Sequence, residues 1–346
     1  MLRDFILSSF YGRLILYRTL CAGKRKPHAA AWQLTPTGDT VYVLLGSNGN
    51  ITSKAARIVL SQGKQVRVVG RSAENLASLK QAGAELAIGD VADAEFLTSA
   101  MHGVDAAFTM IPPNYAAADM PAEQNRVGEA IAKAVAASGV KRVVNLSSVG
   151  AHLASGTGPI AVLYSQEQRL NKIAGVDVLH LRPGAFFENH FNAIGLIRDY
   201  GIHTDMFDSN VRIWSIGTGD IAAIVARELV VPASGANKRV LHLHAPKAYT
   251  QTEAAAILGK AIGKPDLKHM KADPDQAKAG MVQHGMSRNT ADLFEEMSDA
   301  VSRADFSAGM IAGPTEVTPT TLEQFAAVFK TAYERSASDA RSIAGS

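Results

Sequence analysis

Val41-Tyr42-Val43-Leu44-Leu45-Gly46-Ser47-Asn48-Gly49-Asn50-Ile51-Thr52 is the stretch on which the reading of the fold turns. Its first five residues form an unbroken apolar run that stops at a glycine, the pattern of a strand buried on both faces of a parallel sheet. Ile51–Gln62 then sets Ala55, Ile58 and Val59 on one side at helical spacing, with Gly63 as the stop. A glycine-rich turn between a strand and a helix is where a dinucleotide fingerprint must lie. Gly46 permits the tight turn, and Gly49 lets the backbone approach a diphosphate closely. The helix start at Asn50 and Ile51 offers unpaired N–H groups and a positive dipole end. Ser47 and Asn48 add side-chain donors. The position that normally carries a third glycine holds Thr52, whose extra side chain is expected to push the helix outward and weaken the cradle.

Working outward, the same alternation repeats. Strands are predicted at Gln65–Val69, Glu85–Ile88, Asp105–Met110, Arg142–Leu146 and Val178–Leu181. Helices are predicted at Glu95–His102, Ala122–Ser138 and Ile160–Ala174. Successive β-α-β units with right-handed crossovers give an α/β fold, a doubly wound parallel Rossmann sheet. After Gly184 the regularity weakens. Helices fit Phe191–Tyr200, Asp220–Val230, Gln251–Ile262, Asn289–Ala304 and Thr321–Arg335, and one strand fits Arg239–His244. The expected organisation is therefore a dinucleotide-binding domain over 40–184 and a smaller, mostly helical C-terminal substrate lobe over 185–335. That lobe returns in part to the sheet. Residues 336–346 are read as a frayed tail.

Composition narrows the function classes. With 346 residues, 47% hydrophobic and 19% charged, the chain has a substantial core available. The single cysteine, Cys21, excludes an intrachain disulfide and a cysteine-rich metal cluster, and points to a reducing, cytoplasmic setting. The net charge of +3 is misleading as a sign of nucleic-acid binding. Residues 1–39 hold six basic and two acidic side chains, a net +4, so the remaining chain stands at −1. No basic stripe is left to follow a phosphate backbone. Residues 1–39 read as a mobile extension. Phe5–Leu20 is interrupted by Arg13 and Arg18, so it is not a transmembrane segment, and a basic helix lying on a membrane is the alternative.

The end of the second strand bears on cofactor choice. An NAD-selective site usually places a carboxylate there for the ribose 2′-hydroxyl. This chain has Val69-Gly70-Arg71-Ser72, with no acid before Glu74. Arg71 suits a bidentate grip on a 2′-phosphate, so NADP is expected ahead of NAD, against the alternative of a solvated arginine. Asp90 ends the third strand, either to accept from the adenine amino group or simply to form a turn. His242 and His244 have strand spacing that puts both rings on one face. Without a nearby acid or cysteine they read as core-edge histidines, and no metal is expected.

The run Gly46–Ile51, with Arg71, Gly89-Asp90, Ile111-Pro112-Pro113, Asn145-Leu-Ser-Ser148 and Leu181-Arg-Pro-Gly184, resembles the NmrA-like atypical short-chain dehydrogenases. So do Thr218–Ala222, Tyr249–Ala254 and Thr318–Gln324. That family includes NAD(P)H-dependent quinone and dye reductases as well as redox-sensing regulators that bind the nucleotide without turning it over. The resemblance implies that Ile111, Pro112 and Pro113 line the nicotinamide ribose, and that Ser147 and Ser148 lie near the nicotinamide. Pro183 to Phe187, with Asn189, would separate nicotinamide from substrate, Phe186 and Phe187 stacking on a small apolar acceptor. For the serines the competing reading is a strand-end turn, and for the two phenylalanines a buried plug.

Catalysis is where the chain departs from ordinary short-chain dehydrogenases. Their Tyr-x-x-x-Lys pair appears here as Tyr164-Ser-Gln-Glu-Gln168, and Gln168 carries no charge to stabilise a phenolate. Tyr164 remains a candidate proton donor, together with Ser147. His152 is either a donor to substrate or a surface-loop histidine. Hydride donation to a quinone, dye or enone asks less of the protein, because positioning and the cofactor supply most of the chemistry. The expected activity is an NAD(P)H-dependent reductase acting on a small molecule. The alternative is a non-catalytic nucleotide sensor, and the reading leaves room for a homodimer.

Overall fold

The computed structural model describes residues 40–46 and 49–344. The expected extension over 1–39 and the cradle residues Ser47 and Asn48 lie outside them. The buried apolar run is β1 (Val41–Leu45), and α1 (Asn50–Ser61) leads from it to β2 (Gln65–Gly70). Next come α2 (Ala77–Gln81), β3 (Glu85–Ile88), α3 (Ala94–Met101) and β4 (Ala106–Thr109). They are followed by α4 (Met120–Ser138), β5 (Arg142–Leu146), α5 (Ala161–Asn171) and β6 (Asp177–Pro183).

The C-terminal part contributes β7 (Ala185–Phe186), α6 (Ile194–Tyr200), β8 (Ile202–Asp205), β9 (Ser215–Ile216) and α7 (Thr218–Val230). Then come β10 (Lys238–His244), α8 (Gln251–Ala261), β11 (Lys268–Lys271), α9 (Pro274–Gln283) and α10 (Arg288–Val301). The chain ends with α11 (Ala304–Ala312), β12 (Thr315–Val317) and α12 (Leu322–Ala344). Helix α12 continues past Ser336, so the expected frayed tail is helical as far as Ala344.

The main sheet has eight strands in the order β12-β10-β6-β5-β4-β1-β2-β3, and every pairing in it is parallel. The order reverses between β1 and β4, which is the switch point of a doubly wound sheet, where ligands gather beyond the strand ends. Alternation along β1 shows how the core is divided. Tyr42 and Leu44 face one hydrophobic cluster with α1 and α7, whereas Val43 and Leu45 face another with α3, α4 and α5.

A third cluster sits in the C-terminal part, where Phe187, Tyr249, Phe325 and Phe329 pack together. Three of the segments quoted for the family resemblance meet there. Asp220 accepts from the backbone N–H and hydroxyl of Thr320, and the Tyr249 hydroxyl donates to Glu323. Thr250 and Glu253 form a reciprocal cap at the start of α8. Two ribbons that the sequence pattern did not reveal complete the fold: β7 with β9, and β8 with β11. No described helix is long and apolar enough to cross a membrane.

Candidate active site

The cradle begins at Gly46, whose φ of +112° is open to glycine and strained for other residues. A side chain there would also stand 2.5 Å from both the Met110 sulfur and the Thr52 hydroxyl. Thr52 corrects the expectation of a displaced helix. Its hydroxyl donates to the Leu45 carbonyl at 2.9 Å, and the residue is 1% exposed. The side chain that replaces glycine therefore stitches α1 to β1 instead of prising them apart.

The N-terminus of α1 is left open. Gly49 is its N-cap, no side chain among the described residues caps it, and its first turn contains no acid. By contrast, side chains cap α3, α4, α8, α9 and α10, and Glu188 accepts from the first amide of α7. Among the described residues nothing covers the amides and positive end of α1, an arrangement that suits an anion. Next to them a cleft of about 180 Å³ is lined by Gly46, Gly70, Arg71, Asp90 and Pro112. Arg71 is exposed and has no ion-pair partner among the described residues. Asp90 accepts from the Ala92 N–H at 3.0 Å, so it forms a turn while facing the cleft.

Beyond the ends of β4, β5 and β6 lies a larger apolar cavity of about 330 Å³. Ile111, Pro113, Ser147, Ser148, Pro183, Phe186 and Asn189 all reach its wall. Gly184 is needed there because a side chain on it would overlap the Trp214 carbonyl where β7 meets β9. Phe187 is a correction. The chain turns into a 3₁₀ helix at this residue, and its ring is 1% exposed against Tyr249 and Phe325. It is part of the core plug, while Phe186 alone of the pair faces the cavity.

The catalytic candidates are scattered. Ser147 is buried and its hydroxyl donates to Glu167 at 2.5 Å; Glu167 in turn forms a two-pronged ion pair with Arg182. The Ser147 proton is therefore directed away from the cavity. Tyr164 is half-buried on α5 and is not among the residues lining the cavity. His152 lies against α11, its Nε2 3.0 Å from the Asp305 carbonyl, and is likewise off the cavity wall. His242 and His244 are buried, and His244 packs on Trp214 with ring centroids 4.1 Å apart. Burial pushes the His242 imidazole down to about 4.

Comparison with known proteins settles the family. The NmrA-like family model matches residues 38–326. The chain belongs to the NmrA-like family. A curated relative from Streptomyces griseus, a (4-alkanoyl-5-oxo-2,5-dihydrofuran-3-yl)methyl phosphate reductase, is 25% identical over 242 residues, 70% of this chain and 80% of that protein. Among solved structures, a Citrobacter sp. triphenylmethane reductase complexed with NADP(H) superposes with a TM-score of 0.68 at 19% identity, covering 84% of this chain and 99% of that one. An NADPH-dependent quinone oxidoreductase from Escherichia coli, complexed with NADPH, superposes with a TM-score of 0.66 at 22% identity. It covers 83% of this chain and 99% of that one.

Tyr115 and Gln124 are among the polar groups of the NmrA-like cavity that escaped the sequence reading. Tyr115 lines it, with its ring packed on Phe294, and burial raises the phenol above its ordinary value. Gln124, on α4, also lines it and is 5% exposed, with Oε1 lacking a hydrogen-bond partner among the described residues. Neither stands in a motif. The available signal for Tyr115 was its place just after Pro112-Pro113, at the end of β4.

Proposed function

We propose that this NmrA-like protein is an NAD(P)H-dependent reductase that prefers NADPH and reduces a small apolar acceptor such as a quinone or enone. The observation that carries the reading is the juxtaposition at the switch point. The glycine turn that leads into α1 and an arginine with no ion-pair partner among the described residues border one cleft, and an apolar cavity lies beyond the same strand ends. The residues present fit a dinucleotide. Amides of α1 would hold the diphosphate, Arg71 the 2′-phosphate, and Ile111, Pro112, Pro113 and Pro183 the nicotinamide side. When bound, NADPH supplies a hydride.

The remaining tasks belong to the chain. The cavity's apolar wall keeps water from the reacting atoms. Phe186 offers a flat face to a planar acceptor. Gln124 and Asn189 supply polar contacts to orient it, and the neutral Tyr115 phenol stands ready to give a proton to the reduced oxygen. Ser147 and Glu167, tied to Arg182, hold the floor of the site in place.

The test is a titration of the purified protein with NADPH and NADH followed by fluorescence, then a quinone panel with absorbance loss recorded. Saturable NADPH binding with oxidation by at least one acceptor is expected. Binding without turnover on any acceptor would move the reading to a nucleotide-sensing regulator. Absence of binding would overturn both.

A further inference from the structure

The ribbon β8–β11 places three ligating side chains on one face. In its parallel register His203 lies opposite His269, and Asp205 follows His203 by two residues. Side chains two apart on a strand, or opposite one another on paired strands, point the same way. One ligand atom from each of His203, Asp205 and His269 lies within 4.8 Å of the other two. His269 Nε2 and Asp205 Oδ1 are 3.1 Å apart. Two ligand atoms each about 2.1 Å from one ion stand roughly 3.4 Å apart at a tetrahedral angle, so this pair is already close to coordination spacing.

Burial and orphaned polarity supply the independent argument. His203 is 1% exposed and His269 9%. His190 Nδ1 lies 3.1 Å from His203 Nε2, and the other ring nitrogen of His203, Nδ1, is buried with no hydrogen-bond partner among the described residues. A buried polar atom left unpaired costs free energy, and a cation would satisfy it. The outer partners are also present. His190 engages one nitrogen of His203, and the Ser209 hydroxyl stands 2.8 Å from Nδ1 of His269. Such contacts fix ring orientation around a metal.

We propose that His203, Asp205 and His269 form a binding site for a divalent transition-metal ion of the zinc type. Two imidazoles and one carboxylate are the donor set such ions take, whereas magnesium and calcium prefer oxygen alone. His190, His203 and Asp205 line a chamber of about 220 Å³ that shares Tyr115, Phe186 and Asn189 with the apolar cavity. His203 and Asp205 therefore border the space that adjoins the apolar cavity. The site does not depend on the reductase reading.

The experiment uses the full chain, stripped with a chelator and titrated with Zn²⁺ by calorimetry and with Co²⁺ by visible absorption. One equivalent is expected to bind, with Co²⁺ developing a low-symmetry d–d spectrum. Asp205→Asn and His269→Ala should each weaken binding by about 100-fold or more, while His102→Ala, on the exposed surface, should leave it unchanged. If a ligand variant fails to fold, the wild-type Co²⁺ spectrum still decides. No saturable uptake of either ion, or unchanged binding in the Asp205 and His269 variants, would overturn the site.

Discussion

At the amino ends of the strands, buried charge is met by opposite charge or by backbone carbonyls of the chain itself. Arg142, at the start of β5, is 1% exposed; it meets Asp177 of β6 at 2.6 Å and Glu228 of α7 at 3.0 Å. Lys238, at the start of β10, donates to the carbonyls of Ile173 and Val176. At the carboxyl ends, polar groups lie along a cleft and a cavity. Among the described residues, Arg71 has no ion-pair partner, Gln124 Oε1 has no hydrogen-bond partner, and no side chain caps the start of α1. The comparison separates two uses of polarity in one sheet. One end fixes the strands relative to α7, and the other borders the cleft and the cavity.

The largest expected effect comes from breaking the closed end. Arg142→Ala strands the carboxylate of Asp177 in the interior and should cost about 3–5 kcal/mol in urea denaturation. Nucleotide affinity of the folded protein should be unchanged. Phe187→Ala follows, at about 3–4 kcal/mol by the same measurement, since a core ring is lost. Phe186→Ala, one residue earlier on the open side, should spare stability and raise the KM for the acceptor. Equal effects of the two would erase the distinction between plug and cavity wall.

pH sharpens the contrast from inside the sheet. His180 accepts from Asn145, lies 3.0 Å from Asn171, and burial lowers it from 6.5 to about 4. The unfolded chain therefore takes up this proton first. The group's contribution is complete above pH 6.5 and declines by about 3 kcal/mol as pH falls toward 4. Denaturation curves at several pH values should show a shallower slope in His180→Asn than in the wild type over that range. The smallest effect belongs to the open end. Arg71→Ala should weaken NADPH by about 2 kcal/mol and NADH hardly at all in fluorescence titrations. Equal losses would remove the case for the 2′-phosphate.

Much of this was legible in the sequence because the deciding signals are local. The apolar run of β1, the glycine turn and the helical face of α1 lie within a few residues of one another, and each strand from β1 to β6 announces itself in the same way. Thr52 was misread because sequence shows the bulk of a side chain but not the carbonyl awaiting its hydroxyl. Phe186 and Phe187 could not be told apart until the 3₁₀ turn fixed which ring faces inward. Tyr164 drew attention through its motif, whereas Tyr115 reaches the cavity through the path of a loop. His203 and His269 meet only by a pairing of distant strands, which no local pattern encodes.

The central claim is that amides at the start of α1 hold the diphosphate while the nicotinamide faces the apolar cavity. A crystal structure of the complex with saturating NADP⁺ tests it most directly. The account predicts the diphosphate on residues 46–51, the 2′-phosphate on Arg71 and the nicotinamide beside Pro183 and Phe186. A nucleotide bound elsewhere, or a cleft that stays empty at saturation, would contradict it.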